Sequence, residues 1–245
     1  MFLYGAPSLL LIVLAVAPAI GLLLYIYKLD KLEKEPVPMI VRLVFLGIVS
    51  TFLAMVTERI GMSILGNIFY DEENLLCRIL LYFIVVGLSE EGFKYLVLRF
   101  TTWKSPEFNC KFDGVVYAVA VSLGFALWEN IQYVAAYGVS TALVRAVTAV
   151  PGHACFGVIM GGWYGLAKRK QMQNWGSASR LARWLAVIVP TIVHGAYDFV
   201  ATSNLQSIHF IMFVVIMFLV CFFTIKKLSA DDKYHNDEDN NIFYQ

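Results

Sequence analysis

Apolar residues run along this chain in long blocks separated by short polar connections. Seven blocks can be drawn, at residues 7–27, 38–57, 75–98, 113–137, 142–167, 184–203 and 208–225. About 20 apolar residues is what a helix needs to cross the hydrocarbon core of a bilayer. A helix also satisfies its own backbone hydrogen bonds there, where no water can. The pattern therefore predicts an all-α fold: a polytopic helical membrane protein of about seven transmembrane helices. Residues 1–228 form one integral-membrane domain, and the polar residues 229–245 read as a disordered tail. Pro18 and Gly21 are expected to kink the first span. No Lys or Arg precedes Lys28, so that span lacks the positive start of a secretory signal and reads as retained.

Composition supports the pattern. Of 245 residues, 59% are hydrophobic and 15% charged, where a soluble domain carries roughly a quarter charged. The net charge of +1 gives no basic footprint for nucleic acid. Cys77, Cys110, Cys155 and Cys221 form no CxxC pair, which argues against a disulfide framework or a thiolate metal site. The basic residues settle on one side of the blocks. Lys28, Lys31 and Lys34 follow the first, and Arg99, Lys104 and Lys111 the third. Lys168, Arg169, Lys170, Arg180 and Arg183 follow the fifth, and Lys226, Lys227 and Lys233 the seventh. Only Arg59, Arg78 and Arg145 lie near the other side. The positive-inside rule then predicts the N-terminus outside and the C-terminus in the cytoplasm.

Against this background the ionisable residues within the blocks stand out: Glu90, Glu91, Lys94, Glu129, His153, His194 and Asp198. Each costs a few kcal/mol in a membrane, so the set is expected to converge on one polar cavity. Glu90 with Lys94, and His194 with Asp198, stand four apart and in isolation read as plain neutralising pairs. That reading leaves the second glutamate, Glu129 and His153 unexplained. Counted along the helices, Glu90, Glu129, His153 and His194 converge on a band around mid-membrane, displaced toward the side with few basic residues, with the glutamate pair deepest and brought level by helix tilt. Arg42, Arg78 and Arg145 sit near span ends and are expected to snorkel; His209 and His235 are expected to be interfacial or solvated. Paired carboxylates with histidines suit activation of water and hydrolysis within the bilayer. Glutamates and histidines in this number could also hold zinc, which takes three protein ligands in catalytic sites. The same residue types suit a proton or ion relay in a small transporter or channel.

Four short motifs in order sharpen the choice. Glu90-Glu91-Gly92-Phe93-Lys94, Phe125 to Asn130 ending in Glu129-Asn130, Pro151-Gly152-His153, and His194 to Asp198 resemble the motifs of the PrsW family of bacterial intramembrane proteases. That family is related to the CAAX-protease and bacteriocin-processing superfamily. The resemblance implies a site-1 protease of the cell membrane that makes the first, extracytoplasmic cut in a single-span anti-sigma factor and so frees an alternative sigma factor. It implies Glu90 and Glu91 as base and partner, with Glu91 favoured because Lys94 stands one turn from Glu90. Lys94 would hold the charge of the pair. Glu129 would be a second acid/base or metal ligand, His153 and His194 oxyanion donors or ligands, and Asp198 the group that orients His194. Asn130 would supply a further donor. The glycines in these spans, among them Gly157 and Gly161, read as packing faces, internal or between copies. The seventh block, rich in Phe and Met, reads as a lipid-facing wall. Two other classes remain beside the protease: the transporter, and an immunity-type binding protein with a vestigial site.

Overall fold

The structure is a computed structural model, and it describes residues 9–71, 73–203 and 206–235. The described helices are α1 (Leu9–Leu29), α2 (Val37–Ile68), α3 (Leu75–Ile79), a π-helical segment (Leu80–Leu88), α4 (Ser89–Thr102), α5 (Asp113–Tyr137), α6 (Val139–Val147), α7 (Ala149–Met172), α8 (Gly176–Ala201) and α9 (Ser207–Ala230). The only β pairing among the described residues is one antiparallel bridge, Cys110 with Tyr234. The chain is an all-helical membrane protein. Among the described residues, five helical stretches are long and apolar enough to cross a bilayer: α2, α5, α6 continued by α7, α8 and α9. The remaining two blocks correspond to α1 and to the rod formed by α3, the π segment and α4.

Each block becomes helix, but three boundaries move. α2 runs to Ile68 rather than ending near residue 57, because Ile60, Ile64 and Ile68 continue an apolar face beyond Thr57-Glu58-Arg59. The fifth block begins inside α6, joined to α7 across the single irregular residue Thr148 (φ −123°, ψ −72°). The third block contains nine π-helical residues just before the paired glutamates. α-Helices carry such widened turns frequently at functional sites.

α5 is the axis of the bundle, with 78% of its apolar stretch buried against 17% for α9. It packs against α1, α2, α4 and α7. The α5–α7 contact depends on glycine: a Cβ on Gly157 would lie 2.9 Å from Val119 Cα and 3.0 Å from Ser122 Cβ. Gly161 faces the backbone of Gly114 and Val115, so the Gly157–Gly161 pair is an internal packing face. α5 and α6 are joined by Gly138 alone, at φ +83°, a conformation open to glycine and strained for other residues. α9 buries only Val214, Met217, Ile225 and Ser229, which fits the expected peripheral wall.

The tail departs from expectation over its first part. Ser229 Oγ donates to Leu29 O at 2.5 Å, Lys111 N to Lys233 O at 3.1 Å, and His235 N to Asn109 O at 2.7 Å. His235, expected to be solvated, is 3% exposed and packs edge-on against Phe108. Backbone pairing at Lys233 and His235 and the aromatic contact hold the segment to the loop before α5, and the Ser229 hydroxyl ties it to the end of α1. The rest of the expected tail, 236–245, lies outside the described residues.

At this end three carboxylates are buried together, those of Asp30, Glu35 and Asp113. Tyr117 donates to Glu35, and the Asn109 and Cys110 amides donate to Asp113 Oδ2 at 3.0 and 2.6 Å. Burial pushes Asp30 up to about 6, with Lys34 opposing it, and pushes Glu35 up to about 7, with the Tyr117 hydrogen bond opposing it.

Three outcomes follow. Gly157→Val is expected to cost about 1–3 kcal/mol by forcing α5 and α7 apart, seen as a lower melting temperature in detergent. Gly66→Ala, where a Cβ meets nothing within 4 Å, should be neutral or stabilising. Because folding raises the Glu35 pKa from its ordinary 4.5 to about 7, its contribution is fully present below pH 4.5 and is lost as pH rises through 7. Melting temperature measured against pH should therefore fall less across that window in Glu35→Gln than in the wild type.

Candidate active site

The Lys94 ammonium is fully buried and lies where three motifs meet. It donates to Glu90 Oε2 at 3.1 Å, to Glu91 Oε1 at 2.8 Å and to His153 Nδ1 at 3.1 Å. Its charge also sits 4.1 Å from the Phe125 ring centroid. Both glutamates are within one turn of it on α4, so the proximity that distinguished Glu90 from Glu91 in the sequence does not separate them. What separates them is exposure to the cavity, which Glu90 borders while Glu91 is 0% exposed behind it.

A lysine has three donors and no acceptor. His153 Nδ1 must therefore accept from Lys94, which leaves the ring proton on Nε2. That nitrogen lies 2.8 Å from Glu129 Oε2, which is an N–H donating to a carboxylate. The same oxygen meets Arg145 Nη2 at 3.0 Å. Arg145 thus does not snorkel as expected. The positive φ of Gly138 folds α6 back on α5 and aims the guanidinium inward, where Nε also donates to Asn130 Oδ1 at 3.0 Å. Asn130 is spent on structure: its Nδ2 donates to Ala15 O at 2.8 Å, tying α1 to α5.

On α8, His194 Nδ1 is 2.9 Å from Glu91 Oε1, and Nε2 is 3.4 Å from Asp198 Oδ2 and 3.9 Å from Glu90 Oε2. Both ring nitrogens face carboxylates, an arrangement that suits the doubly protonated ring. Phe156 stacks on the imidazole with centroids 4.5 Å apart. α8 approaches this closely because Gly87 of the π segment and Gly195 lie at the crossing. A Cβ on Gly87 would be 3.1 Å from Thr191 O.

Most of these side chains border one cavity of about 370 Å³, with Glu91 and Lys94 enclosed behind its wall. It includes Glu90, Glu129, His153, His194 and Asp198, as expected, and also Arg145 and the half-buried Glu58 of α2. Sequence reasoning missed Glu58 because α2 was ended one residue before it. The signal was the apolar run that resumes at Ile60. The cavity reaches Met62, Gln132 and Thr202, beside the α2–α3, α5–α6 and α8–α9 connections, which is the end poor in Lys and Arg.

A divalent ion suits this chemistry. The donor atoms of Glu90, Glu91 and His153 lie within 4.8 Å of one another, and Glu91 Oε2 is buried without a hydrogen-bond partner. Two carboxylates and an imidazole are oxygen and nitrogen donors that suit a divalent ion, in the three-ligand number of a catalytic metal site. The set expected from the sequence, Glu129, His153 and His194, does not converge in this way: His153 Nε2 and Glu129 are spent on each other. The Lys94 ammonium touches the same three side chains that would hold the ion, so the two cations compete for them.

The family model for PrsW family intramembrane metalloproteases matches residues 35–225 of this chain. Protease PrsW of Bacillus subtilis is 34% identical over 201 residues, covering 80% of this chain and 85% of the relative. Protease PrsW of Halalkalibacterium halodurans is 35% identical over 212 residues, 86% and 90% of the two chains. Protease PrsW of Clostridioides difficile is 29% identical over 232 residues, 92% of each. No solved structure gives a significant match.

The central ion pairs carry a testable cost. Lys94→Met should lower stability by about 3–5 kcal/mol, because it strands buried carboxylates. Adding Glu91→Gln should recover part of that loss. A double-mutant cycle on unfolding in detergent measures the coupling; strictly additive losses would mean the ammonium and Glu91 do not interact.

Proposed function

Since the chain belongs to the PrsW family of intramembrane metalloproteases, and is on that ground a peptidase built into a membrane, we propose that it makes the first cut in a single-span anti-sigma factor and so releases an alternative sigma factor. In this reading it spans the bacterial cytoplasmic membrane seven times, with the N-terminus outside and the C-terminus in the cytoplasm. The observation that carries the proposal is the meeting of residues from four separate motifs around one cavity. That the cavity reaches the end poor in basic residues supports an extracytoplasmic cut.

In the proposed mechanism Glu90 is the general base. It borders the cavity, and Lys94 fixes one of its oxygens. Glu91 is the anchor behind it, accepting from both Lys94 and His194. His194 presents Nε2–H beside Glu90 and is oriented by Asp198, so it can donate to the oxygen of the tetrahedral intermediate. The contact to Asp198, 3.4 Å long, is easily exchanged for that oxygen. Arg145 and Glu129 hold His153 in the tautomer that offers Nδ1 inward. An ion that displaced the Lys94 ammonium would be held by Glu91, His153 and one oxygen of Glu90, leaving the other Glu90 oxygen as the base, and it would polarise the scissile carbonyl as a Lewis acid.

The test is cleavage of single-span substrates by the protein reconstituted in lipid nanodiscs. Glu90→Gln should lower the rate about 10²–10⁴-fold with the melting temperature preserved. Wild-type cleavage by Glu90→Gln, with cleavage lost in Glu91→Gln, would transfer the base to Glu91. Metal content by mass spectrometry should show about one ion per chain, lost in His153→Ala.

A further inference from the structure

The other end of the same two helices holds a second recess, away from the acidic cavity. It lies between the last turns of α4 and the first turns of α8 and has a volume of about 510 Å³. Three arginines border it: Arg99 from α4, and Arg180 and Arg183 from α8. No carboxylate is among its described lining residues, and none of the three arginines forms an ion pair among the described residues. Arg99 and Arg183 are drawn to one ring, their guanidinium carbons 6.0 and 5.3 Å from the Trp103 centroid. Lys168 Nζ lies 5.6 Å from the same centroid, and three like charges gathered on a single indole are a repulsive arrangement, which an anion would relieve.

Two further atoms point the same way. Arg183 Nε and Tyr95 OH are both buried without a hydrogen-bond partner. Tyr95 is 7% exposed and lines the recess. Orphaned buried donors are rare in folded proteins, and each calls for a partner. The remaining wall is apolar and open to the outside: Leu96 is 43% exposed and Trp184 is 67% exposed. Beyond them Ile188 continues the apolar surface along α8 at 45% exposure. A Cβ on Gly92 would meet nothing within 4 Å, so the inner end of the recess is empty space rather than packed core.

We propose that this recess binds the headgroup of an anionic phospholipid, with the phosphate held by Arg99, Arg180 and Arg183, the Tyr95 hydroxyl donating to it, and the acyl chains lying along Leu96, Trp184 and Ile188. The guanidinium fork matches phosphate oxygens in a bidentate way. Basic recesses between membrane helices at the positively charged face are suited to acidic headgroups. The apolar, outward-facing wall favours a lipid over a free phosphate, which would leave that surface without a partner. α4 carries Glu90, Glu91 and Lys94, and α8 carries His194 and Asp198. A lipid bridging the two helices at this end therefore fixes the spacing of the side chains that face one another across the acidic cavity. The binding itself does not depend on the protease reading.

The experiment uses the full chain, delipidated in neutral detergent, with native mass spectrometry and melting temperature as readouts. The probes are phosphatidylglycerol, phosphatidylcholine and inorganic phosphate. Phosphatidylglycerol should bind and raise the melting temperature, with phosphatidylcholine at least tenfold weaker and millimolar phosphate giving no comparable shift. Arg99→Gln with Arg183→Gln should remove the preference for the anionic lipid, a loss of roughly tenfold or more for two charge-assisted contacts. Should that double variant fail to fold, the exposed Arg180→Gln and the conservative Tyr95→Phe serve instead, each expected to weaken binding about two- to tenfold. Equal binding of the two lipids overturns the proposal, as does binding unchanged in all these variants. A shift produced equally by phosphate alone also overturns it, in favour of a free-anion site.

Discussion

The structure turns on one buried ammonium. In a bilayer no water is present to solvate a charge, so each of the paired glutamates needs a cation supplied from within the fold. Lys94 provides it to both, and with its third proton it reaches His153 on α7. From there the constraints pass outward without a break: His153 to Glu129, Glu129 to Arg145, and Arg145 to Asn130, which reaches the backbone of α1. A second branch runs from Glu91 to His194 and Asp198 on α8. α1, α4, α5, α6, α7 and α8 are thus linked by polar contacts that a hydrocarbon solvent cannot replace. The apolar packing around them holds the helices together; this network decides how they are turned.

Much of this was legible in the residues. Hydropathy blocks located the helices, because a bilayer imposes a length. The polar exceptions inside the blocks located the site, because each is too costly to keep without use. Glu90, Glu91, Lys94, Glu129, His153, His194 and Asp198 do come together. What was not legible depends on direction rather than on identity. Arg145 was discounted for lying near a helix end, yet a single glycine with positive φ turns its helix inward. Glu58 was lost to a boundary of one residue. Asn130 was expected among the donors of the site, and the structure spends both of its polar atoms on holding helices.

The choice between the glutamates shows the same limit at finer scale. Spacing along α4 puts Lys94 within a turn of both, at three and four residues. Only the packing of α8 decides that Glu91 is enclosed and Glu90 is left facing the cavity. That packing depends on the π segment and on Gly87 and Gly195, whose lack of side chains lets α8 come close. A widened turn has no composition signature in LLYFIVVGL, which reads as ordinary apolar helix. The ordered start of the tail was hidden for a related reason: residues 229–235 are polar in composition but are held by hydrogen bonds to distant backbone, at Leu29, Asn109, Lys111 and Phe112, to which composition is blind.

The single-residue joint at Gly138 has a mechanical side. With no slack between them, α5 and α6 behave as the two arms of a stiff clip, and Glu129 and Arg145 are the jaws. A clip passes on displacement instead of absorbing it. A polypeptide pressing against α6 would pull the guanidinium away from the carboxylate and loosen the imidazole that both of them steer. Any widening that leaves the chemistry intact must therefore come from the opposite side of the cavity. There α2 contributes Met55 and Met62, flexible thioethers that can reshape themselves around a passing chain.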